Sequence, residues 1–323
     1  MVAGEVTMPP TGDVDMGRFV IRRLLMLIPV LLMVYTLTFL VIHATPGGPW
    51  DIESDQMLPE SLEQTLQAKY HLDDPLWKQY LDYLWNALHG DLGPSYFSVL
   101  SVTEIIRKFW PVSIQLGLVA MAMALSMGVP LGVLAALKQN TVWDLAVTIL
   151  TLGLVSTPSF VLVTLLVVIF AVKLQWLPSG GWEGLLSKEA IIPAFSLALG
   201  PMASLARYTR SSMLEVLRMD HIRTARAKGL PERLVIVRHV LKNAFIPVVT
   251  VVGLSMASVI CGSFFVEIIC RVPGIGRYFV ISASGRDYPV ILGLTLLFAV
   301  LIAVANLGVD LLYGFLDPRI TYE

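Results

Sequence analysis

The sequence predicts an all-α polytopic membrane protein with six transmembrane helices, cytoplasmic N and C termini and a small helical extracytoplasmic insert after helix 1. Composition is the first observation behind this prediction. Of the 323 residues, 56% are hydrophobic and 15% are charged, whereas soluble domains average about 45–50% and 25%. The second observation is a set of apolar stretches close to the ~20 residues that cross a bilayer as a helix. The third is an uneven distribution of basic residues among the connecting segments.

The six predicted spans contain no Asp, Glu, Lys or Arg. In chain order they are Leu24–His43, Val112–Leu137, Leu145–Val172, Ile191–Ala206, Ala244–Val266 and Pro289–Val309. Prolines such as Pro158 and Pro247 lie inside them and predict kinks, because proline leaves a helical carbonyl without its usual partner. The predicted organisation is a flexible cytoplasmic N-terminus (residues 1–17), transmembrane helix 1 (18–44), the insert (45–110) and a transmembrane core (111–323).

The distribution of Lys and Arg sets the predicted orientation. With the N-terminus inside, 14 of the 23 basic residues fall in cytoplasmic segments, nine of them between Arg207 and Lys242. The external segments then hold 14 of the 24 acidic residues, most of them between Asp51 and Glu104. Because cytoplasmic loops are enriched in Lys and Arg, both termini are predicted to lie inside.

Two short amphipathic helices are predicted in the insert. Residues 60–70 and 76–88 both carry apolar side chains at helical spacing. Pro75 suits the first turn of the second helix, and Gly90 and Gly93 suit a chain reversal after it. The insert is interpreted either as a small helical cap over the transmembrane core or as a packed loop without a partner.

Several functional classes are disfavoured. The chain has no G-x-x-x-x-G-K-[ST] motif to hold nucleotide phosphates, and no H-E-x-x-H or Cys/His cluster to hold a metal, so no cofactor is expected in this chain. No basic patch with interleaved aromatic residues points to nucleic acid. Ion-coupled transporters usually keep an acidic residue or a histidine within the membrane. The acid-free spans therefore disfavour an ion-driven secondary transporter, which stays an alternative alongside a non-transporting membrane scaffold.

The most informative stretch is the basic segment, residues 213–242, which is amphipathic and lies between two predicted spans. Gly229 suits the left-handed end of one short helix, and Pro231 suits the start of the next. Small residues flanked by Arg and Lys form a knob that fits a groove in another protein. The alternative is a basic helix lying on anionic lipid. The residues expected to contact a partner are Asp220, Arg223, Thr224, Ala225, Arg226, Ala227, Lys228, Gly229 and Leu230.

Residues 224–247 (TARAKGLPERLVIVRHVLKNAFIP) resemble the cytoplasmic-loop motif of ABC importer permeases, in the version found in oligopeptide and dipeptide importers. Gly229 matches the glycine of that motif, while Arg223, Thr224 and Ala225 stand where the general form has E-A-A. The resemblance continues along nearly the whole chain from Phe19, through the Pro-Gly-Gly-Pro after the first span and the VEIICRVPGIGRYF loop before the last. It is strongest to the first of the two permease subunits of such importers.

This resemblance implies a permease subunit that forms half of a translocation pore for di- or oligopeptides in a bacterial or archaeal cytoplasmic membrane. The implied partners are a homologous second permease, two ATPase subunits that bind ATP and Mg, an extracytoplasmic substrate-binding protein, the peptide and membrane lipid, but no nucleic acid. The basic segment would couple the pore to the ATPases, so the chain itself is not expected to be an enzyme. Related permeases also serve glutathione and nickel-complex importers, and the sequence leaves the substrate open.

Further residues are candidates for the transport path and for docking. Small polar side chains offer donors and acceptors to a peptide backbone, although small residues also allow close helix packing. The path candidates are Ser204, Ser255, Ser258, Ser263 and Glu267. Glu267 would bind a peptide amine or, alternatively, pair with Arg271. Candidates for docking of the binding protein are Glu63, Asp82 and Asp91, on the acidic insert.

Overall fold

The computed structural model describes residues 16–49, 65 and 67–316. Regular structure in these residues is helical, and the isolated bridge between Pro94 and Ser101 is the one β-type pairing there. The α-helices are α1 (Met16–Ala44), α2 (Leu76–Leu88), α3 (Val102–Leu137), α4 (Val142–Ser156), α5 (Ser159–Leu166), α6 (Ile191–Leu217), α7 (Asp220–Ala227), α8 (Glu232–Leu234), α9 (Lys242–Ile260), α10 (Phe264–Ile269), α11 (Ile275–Gly285) and α12 (Tyr288–Leu316). A π-helical turn, Val167–Lys173, extends α5, and another, Val235–Leu241, joins α8 to α9.

Four helical segments are long and apolar enough to cross a membrane. They are Val20–Ala44, Val102–Leu137, Lys188–Leu217 and Tyr288–Gly308. Two bent pairs also pass this test, Val142–Ser156 with Ser159–Lys173 at 108° and Glu232–Phe245 with Pro247–Ile260 at 52°. The described residues thus give four spans, or up to six if each bent pair is one span. Both bends occur at prolines that the sequence marks as kinks, Pro158 and Pro247.

Several predicted spans differ from the helices observed. The second was expected to begin at Val112, yet α3 begins at Val102, within the predicted insert (45–110), because Ser101 and Glu104 form a capping box there. The third, expected as Leu145–Val172, is broken between Ser156 and Ser159.

The fourth span was expected to end at Ala206, yet α6 continues to Leu217 through Arg207 and Arg210. Asp144 explains part of this extension, because Arg210 donates to its two carboxylate oxygens at 2.6 and 2.9 Å. A charge-assisted bidentate pair lets a guanidinium remain in a partly buried position. The fifth was expected to run to Val266, yet α9 ends at Ile260, and Gly262 turns the chain at a φ of 86° before α10.

The centre of the bundle is the seam between α3 and α6. A Cβ on Gly128 would lie 2.6 Å from the Met202 carbonyl oxygen, and one on Gly132 would lie 2.5 Å from that of Ala206. Glycine is therefore required at both positions for the backbones to approach so closely. The buried residues of this core, which α9 completes, are Ala120, Met121, Ala124, Ala198, Leu199, Met202, Leu205, Val248 and Val259.

The insert and the basic segment lie at opposite ends of α3. Val102, at the first residue of α3, packs beside Leu92 of the insert, whereas Ala136, near its last residue, packs against Met213. At the insert end, α2 is held against α1 by aromatic side chains. The Tyr35 hydroxyl donates to the Tyr80 carbonyl oxygen at 2.7 Å, and the two rings are 4.8 Å apart.

Candidate coupling segment and translocation path

The basic segment folds as a short helix attached directly to the end of α6. Two residues separate Leu217 from α7, which runs from Asp220 to Ala227. The inner face of α7 is apolar and buried, with Ile222 fully inaccessible to solvent. It packs into a cluster that joins α6 to the turns leading into α9. The buried members of this cluster are Ala136, Met213, Val216, Ile222, Ala225, Val235, Val240 and Ala244.

The outer face of α7 is polar and exposed. Of the nine residues expected to contact a partner, seven lie on the exposed surface: Asp220, Arg223, Thr224, Arg226, Ala227, Lys228 and Gly229. The other two, Ala225 and Leu230, pack against the buried cluster. Their role is therefore to fix α7 on the bundle, and the surface presented outward is made by the other seven.

The turn after α7 is closed by an ion pair across it. Arg226 donates to the carboxylate of Glu232 at 2.6 and 3.1 Å. Both side chains are exposed, and such pairs contribute about 0–1 kcal/mol. Gly229 has a φ of 76°, and among the described residues, its chain neighbours apart, no atom lies within 4 Å of where a Cβ would be placed. The glycine thus adopts the left-handed backbone conformation of the turn, and there is open space on its outer side.

A second feature is a cavity of about 440 Å³ between the α4–α5 bend, α6 and the end of α9, lined by hydroxyl groups together with aliphatic and Phe side chains. Three of the predicted path residues, Ser204, Ser258 and Ser263, are in its lining. Three further hydroxyl groups line the cavity, those of Thr157, Ser159 and Ser196, which the sequence analysis did not identify. The sequence signal for Thr157 and Ser159 is their position beside Pro158, and the signal for Ser196 is a small polar residue on α6. None of the described lining residues is charged.

Ser255 and Glu267 do not line this cavity. The Ser255 carbonyl oxygen accepts a hydrogen bond from the Ser258 hydroxyl at 2.8 Å. The Glu267 side chain is fully buried, and its carboxylate accepts from the Ser113 hydroxyl at 2.8 Å and from the Arg277 backbone N–H at 3.0 Å. Burial raises the pKa of Glu267, and these hydrogen bonds oppose that shift. No ion pair between Glu267 and Arg271 is found among the described residues.

The Glu267 carboxylate occupies a space bounded by glycines. A Cβ on Gly274 would lie 2.4 Å from a Glu267 oxygen, and one on Gly262 would lie 2.7 Å from the other. The carboxylate therefore joins the corner after α9 to the first turn of α11, where backbone N–H groups favour negative charge. The V-P-G-I-G run in the sequence is the signal for this close approach, although no part of it identifies Ser113 as a partner.

Two of the three docking candidates on the insert lie among the described residues. Asp82 is exposed on α2. Asp91 is exposed in the turn after α2 and accepts a hydrogen bond from the Gly93 backbone N–H at 2.9 Å. Glu63 lies outside the described residues, as does most of the first helix predicted for the insert.

With these features established, comparison with known proteins gives the family. The model described as "Binding-protein-dependent transport system inner membrane component" matches residues 128–322, and its N-terminal companion matches residues 16–117. Together the two matches contain the basic segment, the serine-lined cavity and the insert. The chain belongs to this family of ABC transporter permeases. Family members are transport components, in keeping with the absence of a phosphate-binding motif in this permease.

Individual relatives cover almost the whole permease. It is 46% identical over 308 residues to the oligopeptide transport system permease protein OppB of Escherichia coli K12, covering 95% of this chain and 100% of the relative. It is 44% identical over 306 residues to the dipeptide transport system permease protein DppB of Bacillus subtilis, covering 94% and 98%.

A solved structure supports the fold. The permease superposes on a chain from the crystal structure of an amino acid ABC transporter with histidines, with a TM-score of 0.50 and 16% identity. The match covers 68% of this permease and 95% of that chain. At this identity the comparison supports the arrangement of helices and carries no information about the substrate.

Proposed function

We propose that this permease forms half of the translocation path of an ATP-driven importer for di- or oligopeptides. The observation that carries the proposal is the continuity of α6, which lines the serine cavity at Ser204 and carries α7 at its end. Leu217 lies 13 residues after Ser204, about 20 Å along the helix. A force applied to α7 therefore has a rigid route to the cavity wall.

The cavity chemistry suits a peptide backbone. Hydroxyl groups both donate and accept hydrogen bonds, so they can serve the N–H and C=O groups common to all peptides. A lining without charged side chains does not select peptides by the charge of their side chains. The relatives named for oligopeptide and dipeptide transport point to the same substrate class.

The exposed face of α7 favours a protein partner over a lipid surface. An interfacial helix buries its apolar face among lipid headgroups and acyl chains. The apolar face of α7 is instead used within this chain, since Ile222 and Ala225 are buried. What remains is a polar and basic surface suited to a groove of an ATPase subunit, and two such subunits would supply ATP and Mg.

The remaining partners and the topology belong to the same proposal. A homologous second permease would complete the path, and a substrate-binding protein would deliver peptide to the insert end. Both termini and the basic segment would lie in the cytoplasm of a bacterial or archaeal cell, with the insert outside. To test this topology, Asp82→Cys should react with an impermeant thiol reagent in intact cells, while Gln139→Cys should react after lysis only. The reverse pattern would contradict the orientation.

Reconstitution tests the transport function directly. Liposomes holding this permease, the second permease and both ATPases should accumulate labelled peptide when ATP is supplied on the ATPase side and the binding protein on the opposite side. Ser258→Leu, which fills the cavity, should reduce uptake more than Ser255→Leu, which changes a residue outside its lining. Uptake driven by an ion gradient without ATP would instead support the ion-driven secondary transporter.

A further inference from the structure

The helix α2 in the insert presents three distinct faces. One face packs inward on α1 and α12 through half-buried Tyr80, Tyr83 and Leu84, and the Tyr83 hydroxyl donates to the Pro289 carbonyl oxygen at 3.1 Å. A second face carries exposed Lys78, Asp82 and Asn86. A third stripe lies between these two and is entirely apolar. The members of this stripe are Trp77, Leu81, Trp85 and Leu88, at positions i, i+4, i+8 and i+11.

Among the residues that the structure describes, none covers the apolar stripe. Trp77 is 67% exposed, Trp85 is 65% exposed and Leu88 is 74% exposed. Full burial of one large apolar side chain contributes about 1.5–3 kcal/mol. Four such residues on one face favour an apolar environment beyond the described residues.

An apolar groove continues the stripe into the transmembrane region. Its volume is about 540 Å³, and it runs between α1, α2, the first turns of α3 and the first half of α12. Its walls are almost wholly hydrocarbon, with Leu84 and Leu88 at the α2 end and Ile28 and Val300 on the two flanking spans. The groove is therefore open along the face where α1 exposes a row of aliphatic side chains.

The lining, the stripe and α1 form one continuous apolar surface. The exposed aliphatic residues of α1 include Ile28, Leu32 and Met33, and α1 is itself one of the candidate membrane spans. Tryptophan is enriched where hydrocarbon meets the headgroups, because its ring is apolar and its N–H is polar. A helix with one face on protein, one apolar face and one polar face fits that boundary.

We infer that α2 lies at the membrane interface, and that the groove beside it holds the acyl chain of a phospholipid. The stripe faces the hydrocarbon, while Lys78 and Asp82 remain in water, where a soluble partner can reach them. The insert is then anchored laterally in the bilayer beside α1 as well as through the loops that connect it. This inference needs membrane location alone and does not depend on the proposed transport function.

Nitroxide scanning of α2 tests the position of the stripe. Single cysteines would be placed in turn from residue 77 to residue 88 of the full chain, with Cys261 and Cys270 replaced by Ala, in liposomes of phosphatidylethanolamine and phosphatidylglycerol. Collision with oxygen should peak at positions 81, 85 and 88, and collision with a water-soluble nickel chelate at 78, 82 and 86. If collision with the nickel chelate peaked at the same positions as collision with oxygen, the stripe would be in water and the inference would be overturned. Low collision with both reagents on the stripe would also overturn it, because a protein partner would then cover it.

Filling the groove tests its occupant with a matched pair of variants. Val300 lines the groove, while Val304 lies one turn further along α12, is exposed and is not part of the lining. Native mass spectrometry of the purified full chain should show the loss of one retained phospholipid in Val300→Trp and no loss in Val304→Trp. Equal lipid retention in the two variants would overturn the acyl-chain site. Both experiments measure lipid contact, so their outcome is separate from that of any transport assay.

Discussion

The helices α2 and α7 are both short, amphipathic and outside the long apolar helices, yet they use their apolar faces in opposite ways. In α7, Ile222 and Ala225 are buried in the chain and the polar face is exposed. In α2, none of the residues is buried to that degree and a stripe of Trp and Leu is exposed. The face that a helix leaves unsatisfied indicates the environment it meets. Under the two proposals above, α7 would meet a polar protein surface and α2 would meet hydrocarbon.

The largest expected difference between the two helices concerns stability. Ile222→Ala removes a fully buried side chain and should lower the free energy of unfolding by about 2–5 kcal/mol. Leu81→Ala removes one that is 52% exposed, and should change it by about 0.5 kcal/mol or less. Equilibrium unfolding of the purified chain in detergent measures both. Equal losses would show that the apolar face of α2 is as important for the fold as that of α7.

The second difference concerns coupling, and two glycines provide a matched test. Gly229 and Gly90 have similar φ values, 76° and 82°, and neither has an atom within 4 Å of its missing Cβ. Aspartate at either position should cost a similar amount of stability, about 1–2 kcal/mol, because the left-handed conformation is strained for L residues. Gly229→Asp should also reduce ATPase association and peptide uptake, since an unpaired charge enters that interface. Gly90→Asp should leave ATPase association intact.

Co-purification of ATPase subunits with each glycine variant, normalised to the amount of folded permease, gives the readout. Normal ATPase recovery and uptake in Gly229→Asp would contradict the coupling role of the basic segment. A loss in Gly90→Asp as large as that in Gly229→Asp would show that backbone strain, rather than contact at α7, explains the effect.

The smallest expected effects come from the exposed ion pairs beside each helix. Arg226 pairs with Glu232 at 2.6 Å, and Lys78 pairs with Asp74 at 2.9 Å. Arg226→Gln and Lys78→Gln should each lower the free energy of unfolding by no more than about 1 kcal/mol, and less at high salt. Of the two variants, only Arg226→Gln should weaken ATPase binding. Titration of the ATPase against the reconstituted permease would measure the affinity. Equal affinity for both variants would remove Arg226 from the contact surface.

The apolar spans were predictable because each carries its own signal in composition and length. The two helix bends were indicated by Pro158 and Pro247, although a proline does not specify whether a helix bends by 52° or by 108°. The extension of α6 beyond Ala206 could not be predicted from local sequence. Arg210 in this extension pairs with Asp144, which is 66 residues away in the sequence. A pairing over that distance is a property of the packed bundle and leaves no local pattern.

The candidate site was predictable to a similar extent. The position of the basic segment and the glycine in its turn followed from helix period and turn chemistry, and three path serines share one cavity. Local sequence did not reveal that Glu267 is enclosed by Ser113 and by glycines of a following loop. The sequence also did not indicate that one face of α2 is exposed, since the same Trp and Leu pattern is equally typical of a helix that packs inward.

The missing side chains at Gly128 and Gly132 have a mechanical consequence. Because the α3 and α6 backbones touch without room for a methyl group, neither helix can slide along the other without steric overlap. Under the proposed coupling role, a push on α7 would rotate α3 and α6 together as one rigid body. Such a rotation has to be absorbed elsewhere, and the break between α4 and α5 at Thr157 and Pro158, on the edge of the cavity, is the natural hinge.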